Sequence, residues 1–255
     1  MNTVAQASSV VALSGVVVVL LLDYAVQHRA WAWLQLARGA GGLRGIAGLR
    51  FAKIMGSGHG GGFGLWPSAT HQGLVLVFED EASAQAFGQG PRVQALLERA
   101  RAHWLGILAL TSVRGQWDQT AWGVTPPERL AAPPAGASTA AAAMPVAALT
   151  RGSIRPAKAL AFWRHAPPAQ AALAQAPGCL LAMGLGEAPL VRQCTFSLWD
   201  STQALVDYAH QGSHRQAIEA ARRHGFFSES LFARLQVRSM SGTWCGQSYG
   251  QGAHG

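Results

Sequence analysis

The sequence predicts an α+β fold in which two ferredoxin-like repeats are fused in one chain. Three observations predict it: a proline- and alanine-rich break near the middle, motifs that recur on both sides of the break, and the same order of strands and helices in each half. The chain has 255 residues, of which 49% are hydrophobic and 13% charged. It therefore contains enough apolar sequence to bury the cores of two small domains.

The break is the segment TPPERLAAPPAGASTAAAAMP, in which proline, alanine and small polar residues replace any hydrophobic period. Such a composition cannot bury enough surface to order itself, so we expect a linker over residues 125–145. The linker separates a first repeat over residues 10–124 from a second over residues 146–245. Residues 1–9 and 246–255 are expected to be tails.

The two halves share sequence motifs. Three pairs of segments match: MGSG (55–58) with MGLG (183–186), LVLVFEDEASAQAF (74–87) with CTFSLWDSTQALVDYA (194–209), and SVRGQW (112–117) with SMSGTW (239–244). In the second pair an alternating strand ends in an acidic residue placed to cap the following helix. In the third pair the motif follows an apolar strand. The halves are therefore predicted to be structural repeats.

Each half is predicted as strand, helix, strand, strand, helix, strand. In the first half these elements span 16–25, 27–38, 49–55, 73–79, 81–101 and 105–113. In the second half they span 147–154, 156–165, 179–184, 191–198, 201–224 and 231–239. This order is the ferredoxin-like split β-α-β arrangement, a sheet with helices on one side. Two copies in one chain suggest a fused pair whose sheets face each other.

The most apolar run, VVALSGVVVVLLL from Val10 to Leu22, reads as a buried strand. No lysine or arginine precedes it, and it is well short of the roughly 20 residues that a spanning helix needs. Its many β-branched valines favour a strand. We therefore predict neither a signal peptide nor a membrane span.

Composition excludes several functions. The net charge of +8 comes mainly from scattered arginines, which suits carboxylates, an acidic protein or a membrane surface better than nucleic acid. Three cysteines without a C-x-x-C pair indicate neither a zinc knuckle nor covalent haem, and fit a reducing cytoplasm. The tract GSGHGGGFG lacks the G-K-[S/T] ending of a phosphate loop and is predicted to be a flexible hairpin connection.

One histidine, His214, has a distinctive setting. Gly212 can end the preceding helix, and Ser213 with Gln216 forms an S-x-x-Q capping box that starts a new one. His214 should then face the core from the first turn of that helix, whereas the first half has Arg92 at the matching position. From spacing alone, both a structural histidine and a ligand stay open. A zinc pair with His210 is not expected, because the interruption at the glycine breaks the helical spacing.

Four long segments make the sequence similar to a known family. RFAKIMGSGHGGGF, LTRGSIRPAKALAFWRHAP, LLAMGLGEAPLVRQCTFSLWDS and GSHRQAIEAARRHGFFSESLFARLQVRSMSGTW resemble spheroidene monooxygenases, the carotenoid ketolases of purple bacteria. The resemblance runs from about Val16 to Trp244. It implies a dimeric α-β barrel, haem b, and oxidation of an acyclic carotenoid methylene to a ketone with O2 and electrons from a ferredoxin.

The resemblance also implies site residues. The family histidine in the G-x-H-x-x-A-I pattern falls on His214, as the axial ligand of the haem iron. For the distal side we nominate Arg192 and Met183, and for the haem propionates Arg155 and Arg151, since guanidinium suits carboxylates. For each arginine an ordinary ion pair is the alternative.

Two other functions stay open for this fold. Haem proteins of related fold include aldoxime dehydratases, whose substrate binds the iron through nitrogen, and a non-catalytic haem carrier or sensor is the alternative outside enzymes. The resemblance suggests a cytoplasmic protein with peripheral contact to the inner membrane, where a carotenoid would reside. The oligomeric state is left open.

Overall fold

The structure is a computed structural model that describes residues 12–64, 66–131, 144–188, 190–210 and 212–250. Some side chains within helices also lie outside the described part, namely those at 165–171, 174, 213, 214, 218 and 222. The predicted N-terminal tail and the middle of the predicted linker therefore lie outside the described residues. Among the residues that are described, no helix is both long enough and apolar enough to cross a bilayer.

Both halves contain the predicted order of elements, and each ends in an additional short strand. The first half has β1 (Val16–Tyr24), α1 (Arg29–Arg38), β2 (Leu49–Gly58), β3 (Pro67–Phe78), α2 (Glu81–Gln89), α3 (Pro91–Leu97), β4 (Ala100–Trp117) and β5 (Thr120–Ala121). The second half has β6 (Val146–Ile154), α4 (Ala159–Ala174), β7 (Cys179–Ala188), β8 (Arg192–Trp199), α5 (Thr202–His210), α6 (Gly212–His224), β9 (Phe227–Trp244) and β10 (Gln247–Tyr249).

The strands close into one antiparallel barrel. The order is β4-β1-β3-β2 in the first half and β9-β6-β8-β7 in the second. β4 pairs with β9 from His103↔Thr243 to Gly115↔Leu231, and β2 pairs with β7 at Gly56↔Gly186. These two seams join the half-sheets into an eight-stranded barrel with the helices outside. The predicted tandem ferredoxin-like repeats and the dimeric α-β barrel are confirmed.

Strand alternation explains why the first seven residues of β1 are all apolar. All nine of its residues are buried. Val17, Val19 and Leu21 belong to the core inside the barrel, whereas Val18 and Leu20 belong to the core between the sheet and the first-half helices. A strand covered on both faces needs apolar residues at odd and even positions alike, which gives a continuous run of valine and leucine.

The long predicted helices are each broken in two. The prediction of one helix over 81–101 is wrong, because Pro91 lacks the N–H that would continue α2 and instead opens α3. The predicted break inside 201–224 is present, but α6 begins at Gly212, one residue before the predicted cap.

The predicted acidic caps also differ between the two halves. Asp80 caps α2 by accepting the Ser83 N–H at 2.8 Å, as expected. In the second half the neighbouring Ser201 accepts the Ala204 N–H at 3.2 Å, so the acidic residue itself is not the cap there.

The recurring motifs SVRGQW and SMSGTW form the ends of two long hairpin arms. β4 and β9 extend well beyond the predicted strands and turn back into β5 and β10 through two residues with positive φ each, as in type I′ turns. The glycine is required in each motif: a Cβ at Gly115 would lie 2.0 Å from the Ser230 carbonyl oxygen, and one at Gly242 would lie 2.3 Å from that of His103. Each arm thereby brings its tryptophan to the barrel.

A network of charged side chains lies where the first arm meets the barrel. Arg151 has a fully buried side chain, and its guanidinium donates to Glu229, to Glu187 at 3.2 Å and to Asp118 at 3.2 Å. Lys53 bonds to Asp118 and lies 3.0 Å from Glu187. With Arg192, which lies 3.5 Å from both Asp118 and Glu187, three cations face three carboxylates, so a buried guanidinium is tolerated.

The same network fixes the hairpin turn. The Glu229 carboxylate accepts the backbone N–H groups of Asp118 at 2.9 Å and Gln119 at 2.8 Å. The indole of Trp117 donates to Glu187 at 2.9 Å. One arginine therefore holds β6, β7, β9 and the hairpin together.

Removing this arginine should destabilise the fold. We expect Arg151→Ala to lower the free energy of unfolding by about 3–5 kcal/mol, because its carboxylate partners would be left without their main counter-charge. Urea unfolding followed by tryptophan fluorescence measures the change. The control is Arg114→Ala on the exposed side of β4, which should cost less than about 0.5 kcal/mol. Equal losses in the two variants would contradict the structural role of the network.

Acid should weaken the same network. Desolvation alone would raise the pKa of Glu229, but hydrogen bonds from the Gln119 and Asp118 backbone and the Arg151 charge together lower it. A lowered pKa contributes stability above the unfolded value, which is lost as pH falls through the folded value. We therefore expect the stability difference between wild type and Glu229→Gln to shrink from about pH 5 to pH 3. A difference that is constant over this range in urea titrations would refute this.

Candidate functional site

The outer faces of the two half-sheets differ at equivalent positions. Large aliphatic side chains cover the first face at Val18, Leu20, Leu22, Leu74 and Leu76. Strand register places small residues at the matching positions of the second face, namely Ala148, Thr150, Gly152, Thr195 and Ser197. On the neighbouring strand β7, Gly184 and Gly186 continue the same face. We call this surface of β6, β7 and β8 the floor.

The floor is less covered than its counterpart. Val18, Leu20 and Leu22 are 0% exposed under the first-half helices. Ala148 and Thr150 are only half-buried, although they lie on a central strand. The sheet is therefore less covered at Ala148 and Thr150 than at the matching positions of the first half, whereas Gly152, Gly184 and Ser197 are buried.

The helix that carries His214 stands away from this floor. In the first half α2 packs against β1 and β3, and α3 packs against β4. In the second half α6 packs against α4 and α5, and within the described residues no strand approaches it as closely as β4 approaches α3. The gap between sheet and helix is thus bordered by α6 on one side and by small residues on the other.

Aromatic residues border the floor. Phe63 reaches across the β2–β7 seam and packs with the second-half core, so close to Gly184 that a Cβ there would lie 2.7 Å from its ring. Phe227 lies over Gly152 in the same way, at 2.6 Å. The glycine tract predicted as a flexible connection is therefore the segment that positions an aromatic wall. Its histidine is exposed, as expected.

The border is also tied down by hydrogen bonds. The Ser57 hydroxyl donates to the Gly184 carbonyl at 2.5 Å across the seam between the halves. At the far end of the floor, the Trp199 ring stacks in a tilted arrangement with Tyr208 at 5.2 Å, and its indole donates to Ser197 at 2.9 Å. The site is a slot with a flat small-residue base and aromatic edges.

Two predicted site residues lie near the ends of the second-half helices. His214 is the third residue of α6, and its side chain lies outside the described part of the structure. Arg155 is exposed after β6, and its backbone N–H donates to the Phe226 carbonyl at 2.8 Å, beside the end of α6. The roles of both residues toward a cofactor stay predictions.

Three other predicted site residues lie on the opposite face of the sheet. Met183 is fully buried in the core inside the barrel, and Arg151 is held by the carboxylates of the charged network. Arg192 lies 3.5 Å from both Asp118 and Glu187 on that same side. Their roles toward a ligand stay predictions, and strand alternation does not bring them to the slot.

The cysteine at the edge of the slot is a neutral thiol. Cys179 packs with the second-half core, and burial raises its pKa to about 11. A metal ligand of the sulfur type must be a thiolate, which burial disfavours here.

Sequence reasoning missed the floor itself. The signal lies in the first strand of each half, where leucine at position 20 is matched by threonine at 150 and leucine at 22 by glycine at 152. It required the strand register, which the structure supplies.

Comparison with known proteins identifies relatives of this chain. No protein-family model matches it. Among solved structures, an aldoxime dehydratase in complex with butyraldoxime has a TM-score of 0.55 at 11% identity, covering 87% of this chain and 79% of that one. At this identity the likeness shows the fold alone.

Sequence relatives are much closer. The spheroidene monooxygenase of Rubrivivax gelatinosus is 47% identical over 236 residues, which is 92% of this chain and 87% of that protein. The spheroidene monooxygenase of Rhodobacter capsulatus is 34% identical over 206 residues, covering 78% of this chain and 80% of the relative. The chain belongs to the spheroidene monooxygenase family.

Proposed function

We propose that this protein is a haem-dependent monooxygenase that oxidises an allylic methylene of an acyclic carotenoid to a ketone, with O2 and electrons from a ferredoxin-type donor. The names of the relatives support oxygenation of a carotenoid. The observation that supports a flat cofactor is the floor, where small residues replace the leucines of the first half. Haem b is the proposed cofactor.

The residues of the slot fit a planar macrocycle. A flat ring needs an even surface, and Ala148, Thr150 and Gly152 project little from β6. His214 would provide the axial imidazole from α6, and Arg155 would pair with a propionate at the open end. Apolar edges such as Phe63 would keep water from the ring.

The residues of the chain would bind the haem and the substrate and would exclude water. When bound, haem supplies the O2 chemistry that amino-acid side chains do not. The aromatic border would hold an apolar polyene beside the ring, and its rigidity would select one carbon for attack. Two hydroxylations at that carbon, each using one O2, two electrons and two protons and releasing one water, give a geminal diol. Loss of water from the diol gives the ketone.

The surface charge and the substrate's solubility suggest which partners the protein contacts. The net charge of +8 favours an acidic redox protein over a basic one. Arg215 and Arg223 are exposed on α6 itself, where an acidic partner would come near the haem. A carotenoid dissolves in lipid, so we also propose peripheral contact with the inner membrane of a cytoplasmic protein.

A second candidate function is dehydration of an aldoxime. An aldoxime dehydratase shares the fold, which leaves this function open, although the sequence relatives do not support it. The two reactions differ in stoichiometry. Product formation with consumption of O2 and reductant supports the monooxygenase, whereas turnover of an aldoxime without either would replace it.

The axial ligand can be tested by spectroscopy. We expect wild-type protein produced with haem available to show a Soret band near one haem per chain, and His214→Ala to lose or shift this band, because the imidazole is gone. The control is His210→Ala, an exposed residue at the end of α5, which should leave the spectrum unchanged. Absence of haem from the wild type, or an unaltered spectrum in His214→Ala, would refute the assignment.

The floor can be tested by filling it. Thr150→Leu introduces the residue that the first half has at the matching position, Leu20. We expect at least a tenfold loss of haem affinity, about 1.4 kcal/mol, because the added isobutyl group occupies the slot. Titration of the apoprotein with haem measures it. The matched control, Thr111→Leu on the exposed side of β4, should bind haem as wild type does. Equal affinity in Thr150→Leu and wild type would exclude the floor as the cofactor site.

A further inference from the structure

We propose that Gln193 is the hydrogen-bond donor for a small diatomic ligand held between the haem and the floor. The proposal rests on the proposed function and assigns a residue that sequence reasoning did not find. It replaces Arg192, its neighbour on β8, in the distal role, because successive strand residues face opposite sides of a sheet.

The first half contains an internal reference for this residue. Gln72 on β3 is paired with Leu22, and Gln193 on β8 is paired with Gly152, so the two glutamines are equivalent by register. Gln72 is buried, and its amide donates to the Ala32 carbonyl of α1 at 2.6 Å. In the first half the glutamine therefore joins the sheet to its helix.

The second glutamine does not make this bond. Among the described residues, no side-chain hydrogen bond of Gln193 is found. Its amide nitrogen lies 4.0 Å from the point where a Cβ of Gly186 would be, so the side chain extends over the floor toward β7. The first repeat uses its glutamine to join the sheet to a helix, and the second repeat does not.

The neighbours of Gln193 leave its amide open on the side of β7. Gly186 flanks it there in the same cross-strand row, has no side chain, and has only the Arg192 carbonyl and the Gln193 amide itself near its missing Cβ. On the other side, the Phe227 ring lies over Gly152. The amide is therefore presented toward the β7 end of the slot.

The chemistry of an amide suits this place. A diatomic ligand that accepts electron density carries partial negative charge on its outer atom, which a fixed N–H donor stabilises. Glutamine offers two such donors without a charge, so burial beneath an apolar ligand carries no ionic desolvation penalty. An arginine here would have to lose its hydration shell.

Carbon monoxide tests the proposal on the haem-loaded protein. We expect the infrared C–O stretch of the reduced protein to move to higher wavenumber in Gln193→Leu, because a donor near the oxygen weakens that bond. Gln193→Glu, which keeps the shape but turns an acceptor toward the ligand, should move it in the same direction. The matched control, Gln72→Leu, should leave the stretch unchanged while lowering the melting temperature.

The outcomes separate this inference from the function on which it rests. A normal Soret band with an unmoved C–O stretch in both Gln193 variants would overturn the role of Gln193 and leave haem binding intact. A wild-type protein that takes up no haem would overturn both. An equal shift in Gln72→Leu would overturn it as well, because the effect would then not arise at the floor.

Discussion

The closure of the barrel is the constraint on which the rest of the structure depends. The pairing of β4 with β9 and the contact of β2 with β7 turn two open half-sheets into a cylinder. Its interior is filled by apolar side chains from all eight strands, with the Arg151 network at one end. A packed interior offers no room for a large ligand, so the cofactor that we propose would have to lie outside the barrel, between the sheet and the helices.

The two repeats have used that outer layer differently. In the first, leucines and valines on β1 and β3 meet the helices directly and bury their full surface. In the second, Thr150, Gly152 and Thr195 give up this packing, and α6 rests on other helices instead. The first half and the interior then supply the stability that the second half lacks. Such a division allows one repeat to hold a ligand without unfolding the chain.

Sequence patterns predicted those parts of the architecture that depend on residues close together along the chain. The valine run of β1, the order of elements and the two repeats follow from periodicity and composition. The break at Pro91 was missed, although proline gives a clear signal, because the hydrophobic period continues across it. The arms of β4 and β9 were missed because their outer parts are polar on both faces and gain order only by pairing with each other.

The site was harder to predict because it depends on which alternate residues of each strand face the helices. Only the last four residues of β8 are buried on both faces, and the sequence RQCTFSLW does not tell which alternate residues face the barrel interior. Arg192 and Met183 were nominated by residue type, whereas register puts both on the interior face. The motifs MGSG and MGLG match Gly56 with Gly184 as equivalent positions of the two repeats, but they do not tell that Gly56 pairs with Gly186 across the seam.

The most direct test of the central claim is the position of iron in crystals of the haem-loaded protein, located by anomalous diffraction at the iron edge. The account predicts one iron per chain, between α6 and the outer face of β8, within bonding distance of His214. Iron inside the barrel, at a contact between two chains, or on the first-half side of the sheet would contradict it.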